Sequence, residues 1–580
     1  MIIRVSKAIT RIKKFYNSNI FPLWLKILLK EILKKCNKNK TYENKKSILA
    51  FPNQFSIDDN LIGKEIIKNK KGNEYYYAQY YEETKILKSN SFLSTDSTHK
   101  TETYEGTKVR KKNKKKISYK KKSLLPISIL DHHNDDNFKG NLRITKLENI
   151  HEYNDIQSNR FHPFLLDGFG EIELFSNHEM IIGKLLELQQ SIKTEKKLVL
   201  VIFADGLGSS WFQMEDIKSL IPNTIRFFEK GIIFENCFSN AEWTLPSLAS
   251  IFTGKYVHNS NIFHPRRFDI FNKNTKNIGE YFQDAGYFTQ LISGNRKQHL
   301  KIGYCSGFDR TIYKHNLKHH EIIYEFIESH RVFKDRSIFN WLSFFDTHHH
   351  INGSPSFSSH AELSLNGINE SLTNYKSKSP FSSYCPYATE RYKNEIKQWD
   401  YHLSQLYSFI EENYNESEIL VTLISDHGNN LTENINTIPE FLNTGRLRVP
   451  FMLRGNDLGN RICNDFIENV DILPSLLSLS NINYDKNKLD GKLPKILGGI
   501  EKNHIFSESI YPNQTYKATL KDKDYEFYIE AKNNTKESGY FNLKNPKLTL
   551  YKNNNPLKIE DNNLKHNYLN SLMKYNIWNR

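Results

Sequence analysis

Continuous apolar runs alternate with a helical pattern in the second half of the chain. Residues 198–206 (LVLVIFADG) form an apolar run that ends in an acidic residue and a glycine. This is typical of a buried parallel strand that leads into its carboxyl-end loop. Similar runs occupy residues 339–350 (FNWLSFFDTHHH), 418–430 (EILVTLISDHGNN) and 448–455 (RVPFMLRG), and residues 388–414 carry an apolar stripe at helical spacing. Strands that alternate with helices predict an α/β domain with a largely parallel central sheet flanked by helices.

The N-terminal segment 1–40 carries a basic amphipathic helical pattern. In residues 20–35, leucine and isoleucine recur at helical spacing with lysines between them. Such a helix can lie on an anionic membrane surface or pack on the protein's own body, and the pattern leaves both open. The chain has no apolar run of the ~18 residues that span a bilayer and no signal-peptide pattern. We therefore expect a cytoplasmic protein, with peripheral membrane contact through residues 20–35 as the alternative.

Residues 41–190 form an accessory region to which the sequence assigns no fold. The pattern predicts poor regularity here. Within it, residues 109–123 (VRKKNKKKISYKKKS) are dense in lysine, which predicts a solvated loop, with a polyanion tether as the alternative.

The charge balance favours anionic partners. The 580 residues carry a formal net charge of +16, which attracts lipid head groups, polyanionic glycans or nucleic acid. No nucleic-acid-binding motif is present, so nucleic acid is a disfavoured partner. The five cysteines include no CxxC pair, which indicates free thiols and no disulfide framework.

Acidic and histidine residues follow the predicted strands. Asp205 ends the first strand, Asp346 follows the second, and Asp426 and His427 follow the third. Active sites of parallel sheets lie off the carboxyl ends of the strands, so these side chains are expected at one edge. Carboxylate and imidazole together suit a divalent metal. For Asp205 the alternative is a cap on the following helix.

Thr244 lies in AEWTLPSLASIFTGKY, two residues before Pro246 and at the start of a predicted helix. A hydroxyl bound to a divalent cation deprotonates more easily and becomes a nucleophile. The helix N-terminus favours a tetrahedral anion such as phosphate or sulfate at the same point. The alternative is that Thr244 only caps that helix.

These motifs in this order resemble the alkaline phosphatase superfamily, and specifically its sulfatase-like branch, which includes phosphoethanolamine and phosphoglycerol transferases. The similarity runs from about residue 197 to the C-terminus through VIFADG, WTLPSLASIFTGKYVH, GFDRTIY, FFDTHHH and SDHG. It implies a sulfatase-like catalytic domain over residues 195–500. It also implies a C-terminal subdomain of a small antiparallel sheet and a helix over residues 501–580.

The resemblance implies one divalent metal ion (Mn, Zn or Ca) with four ligands: Asp205, Thr244, Asp426 and His427. Thr244 is also the implied nucleophile. His348 is implied to contact the substrate or to protonate the leaving group.

Further residues enter through the same resemblance. Lys255 and His258 are expected to support the nucleophile loop or to bind the anionic group. A second metal site is an alternative, with Asp346 and His350 as ligands at the spacing D-x-x-x-H and His504 as the remaining candidate for a third.

Three departures from sulfatases favour phosphate chemistry. Sulfatases oxidise Cys or Ser to formylglycine, which Thr244 cannot yield; Leu248 stands in place of their Arg; and Gly206 stands where a second Asp is usual. The expected activity is a metal-dependent hydrolase or transferase on a phosphate ester, either a phosphodiester or a phospholipid head group, that modifies a surface glycan or lipid. The alternatives are a sulfuric ester hydrolase and an inactive sulfatase-like binding or scaffold protein.

Overall fold

A computed structural model describes most of the chain. It covers residues 65–68, 72–79, 100–131, 138–189, 192–209, 217–264, 275–295, 297–298, 303–314, 317–348, 386–428, 441–455, 458–553, 555, 557–575 and 577. The chain divides into two compact units, Met1–Gln54 and Phe55–Arg580, and the described residues belong to the second. The predicted amphipathic helix at residues 20–35 and the candidate ligand His350 lie outside the described residues.

The strands begin well before the predicted catalytic domain. The first group is β1 Glu65–Lys68, β2 Glu74–Gln79, β3 Thr101–Val109, β4 Lys114–Tyr119, β5 Ser123–Ile129, β6 Gly140–Lys146, β7 Asn149–Ile156, β8 His162–Leu166, β9 Gly170–Phe175, β10 Met180–Gly183 and β11 Leu186–Glu187. The second group is β12 Leu198–Ala204, β13 Ile232–Phe234, β14 Cys237–Phe238, β15 Phe288–Ser293, β16 Arg310–Tyr313, β17 Ile338–Phe344, β18 Ile419–Ile424, β19 Phe451–Arg454, β20 Arg461–Cys463 and β21 Ile467–Glu468. The last group is β22 Ile505–Ser509, β23 Thr515–Lys521, β24 Tyr525–Asn534 and β25 Lys547–Lys552.

The helices alternate with the second group of strands. They are α1 Ile217–Leu220, α2 Pro222–Phe228, α3 Thr244–Thr253, α4 Val257–Ser260, α5 Ile278–Asp284, α6 His319–Phe333, α7 Pro386–Asn413, α8 Thr444–Leu447, α9 Ile472–Leu479 and α10 Asn562–Met573. Short 3-10 turns occupy Glu416–Glu418, Asn469–Asp471, Lys486–Lys488 and Lys495–Leu497. No helix among the described residues combines the length and apolar character needed to cross a membrane.

The central sheet is parallel at its middle, as predicted. Strands β16, β15, β17, β12 and β18 are neighbours in that order, and all four pairings are parallel. Strand β19, predicted from the run RVPFMLRG, pairs antiparallel with β18. The fold is therefore α/β with a largely parallel centre and antiparallel edges, which confirms the predicted class.

The two faces of β12 belong to two different cores. Its odd-numbered residues from Val199 to Phe203 pack with α3 and α9 on one face. Its even-numbered residues from Leu198 to Ile202 pack with α6 and α7 on the other. Because both faces are covered, all seven β12 residues are buried, which explains why this strand reads as a continuous apolar run.

The described residues before residue 190 lie mostly in strands, whereas the sequence pattern predicted poor regularity. Strand β3 pairs antiparallel with β16 and, together with β10, β5 and their neighbours, extends the central sheet. The lysine-dense segment is also not a loop, since it contains β4 and the start of β5. Its lysines face the acidic strand β9, where Lys114 pairs with Glu173 at 2.7 Å and Lys116 with Glu171 at 3.0 Å. Opposite charges across two strands favour this pairing.

The C-terminal part forms the predicted small sheet. Strands β22, β23, β24 and β25 make an antiparallel meander, and α10 packs against it through Tyr568 and Leu572. This layer also touches the catalytic domain, because Phe506 shares its core with Tyr256 and Val257.

Candidate active site

One edge of the central sheet collects the predicted functional side chains. Asp205 directly follows β12, and Asp426 follows β18 after one serine. His348 follows β17, the other neighbour of β12. Since these strands are parallel, their carboxyl ends meet, and the loops that leave them lie side by side.

The threonine lies at the start of α3 and does not cap it. The N-cap is Trp243, in extended conformation, and Thr244 is the first helical residue. Its Oγ1 lies 3.5 Å from Asp205 Oδ1 and 3.3 Å from His427 Nε2. The hydroxyl therefore points to the carboxylate and imidazole, and the capping alternative for Thr244 is wrong.

Asp205 is fully buried beside a second carboxylate. Burial and the charge of Asp426 raise the pKa of Asp205, while hydrogen bonds from Asn295 and Thr244 act in the opposite direction. Its Oδ2 accepts a hydrogen bond from Asn295 Nδ2. Two buried carboxylates at one point favour uptake of a cation.

The imidazole of His427 is oriented as a ligand. Its Nδ1 donates to the carbonyl of Gly428 at 3.0 Å, which leaves the Nε2 lone pair facing the carboxylates. Nε2 lies 3.7 Å from Asp205 Oδ1 and 3.4 Å from Asp426 Oδ2. Burial lowers the pKa of His427, so the neutral, ligating form is favoured.

The donor set fits a divalent cation. Asp426 Oδ1 accepts from the backbone N–H of Gly206 at 3.0 Å, whereas its buried Oδ2 has no hydrogen-bond partner within the described part of the chain. Buried polar atoms are rarely left unpaired, so this oxygen is a candidate ligand atom. Asp205, His348 and His427 also offer one ligand atom each within 4.8 Å of one another. Hard oxygen and borderline nitrogen donors suit Mn²⁺ or Zn²⁺.

His348 lies at the rim of the same cluster. Its Nε2 is 4.0 Å from Asp205 Oδ1, and its side chain is 27% exposed, whereas Asp205 is fully buried. The ring stacks on Phe345 and meets His427 edge-on. This position between the buried carboxylates and solvent suits a group that contacts substrate.

Sequence reasoning missed three polar residues around the cluster. Asn295 and Lys297 follow β15, so the strand-end rule that identified Asp205 applies to them as well. Lys297 places a positive charge close enough to lower the pKa of Asp205, and Arg446 does the same for His427. Arg446 is buried and donates to the carbonyl of Glu242. Lys297 favours an anionic substrate at this edge, whereas the charge of the buried Arg446 is offset by that of Glu242.

Two of the predicted substrate-binding residues lie elsewhere. Lys255 follows the C-cap of α3, so it is about 15 Å from Thr244 along a helix that rises 1.5 Å per residue. His258 is 1% exposed and its Nδ1 lies 2.7 Å from Glu508 Oε1. This hydrogen bond fixes α4 against β22, so His258 supports the contact between the two domains.

Of the three ligands predicted for a second metal site, the structure describes two, Asp346 and His504. Asp346 is buried, with its Oδ1 3.3 Å from Lys318 Nζ and 3.5 Å from His319 Nδ1. His504 contacts Asp522 and the ring of Tyr568 in the C-terminal layer, so it does not join Asp346. His350 lies outside the described residues.

A comparison with protein-family models decides the family. Residues 197–482 match the Sulfatase family, a span that contains the whole cluster around Asp205 and Thr244. Residues 197–482 therefore form a sulfatase-family domain, which supports the sulfatase-like branch of the alkaline phosphatase superfamily. A sulfatase-family domain supports a hydrolase that acts on sulfate or phosphate esters, and enzymes of this family generally use a divalent metal. No curated protein matches the chain.

Solved structures with a similar fold are distant in sequence. One is Ps i-CgsB in complex with k-i-k-neocarrahexaose, with 15% identity, 67% of this chain and 94% of the other covered, and a TM-score of 0.49. Another is the phosphonate monoester hydrolase of Silicibacter pomeroyi, with 14% identity, 65% and 94% covered, and a TM-score of 0.49. A third is BT4656 in complex with its substrate D-glucosamine-2-N,6-O-disulfate, with 13% identity, 66% and 96% covered, and a TM-score of 0.47.

The departures of this sulfatase-like domain from sulfatases have local explanations. Gly206 adopts φ 72°, a left-handed conformation that glycine adopts without strain, and its N–H donates to Asp426 Oδ1. Leu248, in the position of the sulfatase arginine, is completely buried in the core beneath α3. The positive charges near the cluster come instead from Lys297 and Arg446.

Proposed function

We propose that this chain is a metal-dependent hydrolase or transferase of phosphate esters, with Thr244 as its nucleophile. The supporting observation is the position of Thr244 Oγ1, which lies 3.5 Å from Asp205 Oδ1 and 3.3 Å from His427 Nε2 at the N-terminus of α3. A hydroxyl aimed at a buried carboxylate and a neutral imidazole has its proton acceptors within reach. The N-terminus of the same helix, where the N–H groups of Thr244 and Leu245 have no partner within the helix, favours a tetrahedral anion beside it.

The residues of the site have two different roles, metal binding and proton transfer. Asp205, Asp426 and His427, with Thr244, would hold the divalent ion. When bound, that ion lowers the pKa of the threonine hydroxyl and offsets the charge of the phosphate ester. His348, at the exposed rim, is the residue placed to exchange a proton with the leaving alcohol.

The reaction then runs in two displacements. The Thr244 hydroxyl first loses its proton to solvent; the resulting alkoxide oxygen bonds to phosphorus, the bond from phosphorus to the leaving alcohol breaks, and that alcohol takes a proton from His348. An acceptor hydroxyl or water next attacks phosphorus, gives its proton to His348, and releases Thr244. Hydrolase and transferase differ only in which acceptor enters, so both remain within the proposal.

Sulfate ester hydrolysis is the second candidate, because residues 197–482 match the Sulfatase family. Threonine disfavours it, since Thr244 lacks the Cys or Ser from which a sulfatase forms its formylglycine aldehyde.

A panel of chromogenic substrates separates these activities. The purified chain, stripped of metal and then supplied with Mn²⁺ or Zn²⁺, is assayed on p-nitrophenyl phosphate, bis-p-nitrophenyl phosphate and p-nitrophenyl sulfate. We expect metal-dependent turnover of a phosphate ester, and faster turnover of the sulfate would overturn the proposal. Absence of both bound metal and turnover would favour a binding or scaffold role.

Variants at one helix test the nucleophile. Thr244→Ala should lower kcat on the order of 10⁴-fold, as removal of other nucleophiles does, while Thr244→Ser retains part of the activity. Thr253→Ala is the matched control, because Thr253 lies in the same helix and its hydroxyl binds the carbonyl of Ala249 at 2.6 Å. Activity of Thr244→Ala equal to that of the control would exclude the mechanism.

A further inference from the structure

A second group of buried metal-binding side chains lies beside the β17 loop. His319 is the first residue of α6, Asp346 follows β17, and Glu395 lies in α7. Each offers one ligand atom, and the three atoms lie within 4.8 Å of one another. Their exposed fractions are 3%, 8% and 1%, so three separate elements bring two carboxylates and an imidazole together away from solvent.

Several polar atoms of this group lack hydrogen bonds in the described part of the chain. They are Asp346 Oδ2, His319 Nδ1 and the Nδ1 of the neighbouring His402. The closest approach of His319 Nδ1 to Asp346 Oδ1 is 3.5 Å, and the His319 and His402 rings lie 4.5 Å apart. Buried polar atoms normally have partners, and a shared cation would satisfy the carboxylate oxygen and both imidazole nitrogens together.

A lysine contacts this group but does not satisfy all of its polar atoms. Lys318 Nζ lies 3.3 Å from Asp346 Oδ1, and its side chain is 26% exposed. It faces one oxygen of Asp346, whereas Oδ2 is the oxygen without a hydrogen bond.

We propose that His319, Asp346 and Glu395 form a second divalent-metal site, with His402 as the neighbouring imidazole. Two carboxylates with imidazole nitrogen suit Zn²⁺ or Mn²⁺. Asp346 lies two residues before His348, so a metal here links α6 and α7 to the segment that carries His348. The site thus positions that segment, and its ligands are all different from those of the Asp205 cluster.

Metal stoichiometry tests the site directly. The full chain is stripped with EDTA, dialysed, and titrated with Zn²⁺ alone, and bound zinc is measured by elemental analysis. We expect two zinc ions per chain for the wild type, one for Glu395→Gln, one for Asp426→Asn, and none for the double variant. Because each variant removes a ligand from a different site, failure of one site is distinguishable from failure of the other.

Two further variants serve as a second ligand substitution and as a control. His319→Ala removes a second ligand and should also bind one ion, which keeps the test valid if Glu395→Gln does not fold. His320→Ala is the matched control, since this adjacent histidine is exposed, and it should bind two. One zinc ion in the wild type, or wild-type binding by both Glu395→Gln and His319→Ala, would overturn the proposal and leave the group as a polar contact between helices.

Discussion

Repulsion between the carboxylates of Asp205 and Asp426 destabilises the metal-free protein, and the substitution Asp426→Asn should relieve it. Asp205 Oδ1 and Asp426 Oδ2 both contact His427 Nε2, at 3.7 and 3.4 Å, so they are no more than about 7 Å apart. Two unit charges at that distance repel by about 2 kcal/mol at an effective dielectric constant of 20. The raised pKa of Asp205 favours its neutral form, which weakens this repulsion.

The substitution retains the rest of the local bonding. Asparagine Oδ1 can still accept from the Gly206 N–H, which lies 3.0 Å from the present oxygen. The new amide replaces the unpaired Oδ2 at 3.4 Å from His427 Nε2, where it becomes a donor to that nitrogen. We therefore expect Asp426→Asn to raise the free energy of unfolding in EDTA by up to about 2 kcal/mol. For a chain of this size that corresponds to a rise in Tm of roughly 2 °C.

With metal added, the wild type should become more stable than Asp426→Asn. Metal at 1,000 times its Kd stabilises the wild type by about 4 kcal/mol through this site, and the variant loses that gain. Differential scanning fluorimetry in EDTA and in Mn²⁺ measures both effects, with the exposed Asp485→Asn as control. A lower Tm of Asp426→Asn in EDTA, or an equal metal-induced rise in both proteins, would refute the reasoning.

Three other predictions address the surroundings of the site. Asn295→Ala removes the hydrogen bond to Asp205 and should weaken metal affinity by about 10- to 100-fold, measured by titration calorimetry; unchanged affinity would show that Asn295 does not orient the ligand. Glu508→Ala leaves the buried His258 without its partner and should cost about 3 kcal/mol in urea unfolding with kcat nearly unchanged, so a selective loss of kcat would contradict the structural role of His258. The pKa of Glu526 is lowered by its lysine partner and hydrogen bonds, although burial acts in the opposite direction. The stability it contributes is present above its ordinary pKa of 4.5 and lost as the pH falls below it, so Glu526→Gln should flatten the acid limb of a Tm-against-pH curve.

The sheet edge could be predicted because its signals are local. Asp205 and Asp426 each follow an apolar run, and parallel strands bring such ends together wherever the runs lie in the sequence. Thr244 could be singled out as a candidate because the turn and the helix start around it are contiguous in sequence. Asn295 follows β15 in the same way, but an amide carries no metal-ligand signature by itself, so the strand-end pattern did not single it out.

The remainder depends on partners that are distant in sequence. The lysine-dense segment forms β4 through its pairing with β9 and the buried Tyr119, partners that the segment alone cannot indicate, and the exposed pairs of Lys114 and Lys116 add little. Glu395 lies within the polar positions of a helix, and only the packing of α7 beside β17 and α6 places it near Asp346. Composition and periodicity describe one helix or strand at a time, so they cannot predict contacts that form among three elements.

Trapping the covalent intermediate tests the central claim most directly. The metal-loaded protein is mixed with p-nitrophenyl phosphate, quenched in acid within the first turnovers, digested with trypsin, and its peptides are sequenced by mass spectrometry. The account predicts a phosphoryl group on Thr244 that is absent from Thr244→Ala and from protein without metal. Phosphorylation at another residue of that peptide, or undiminished turnover by Thr244→Ala, would contradict it.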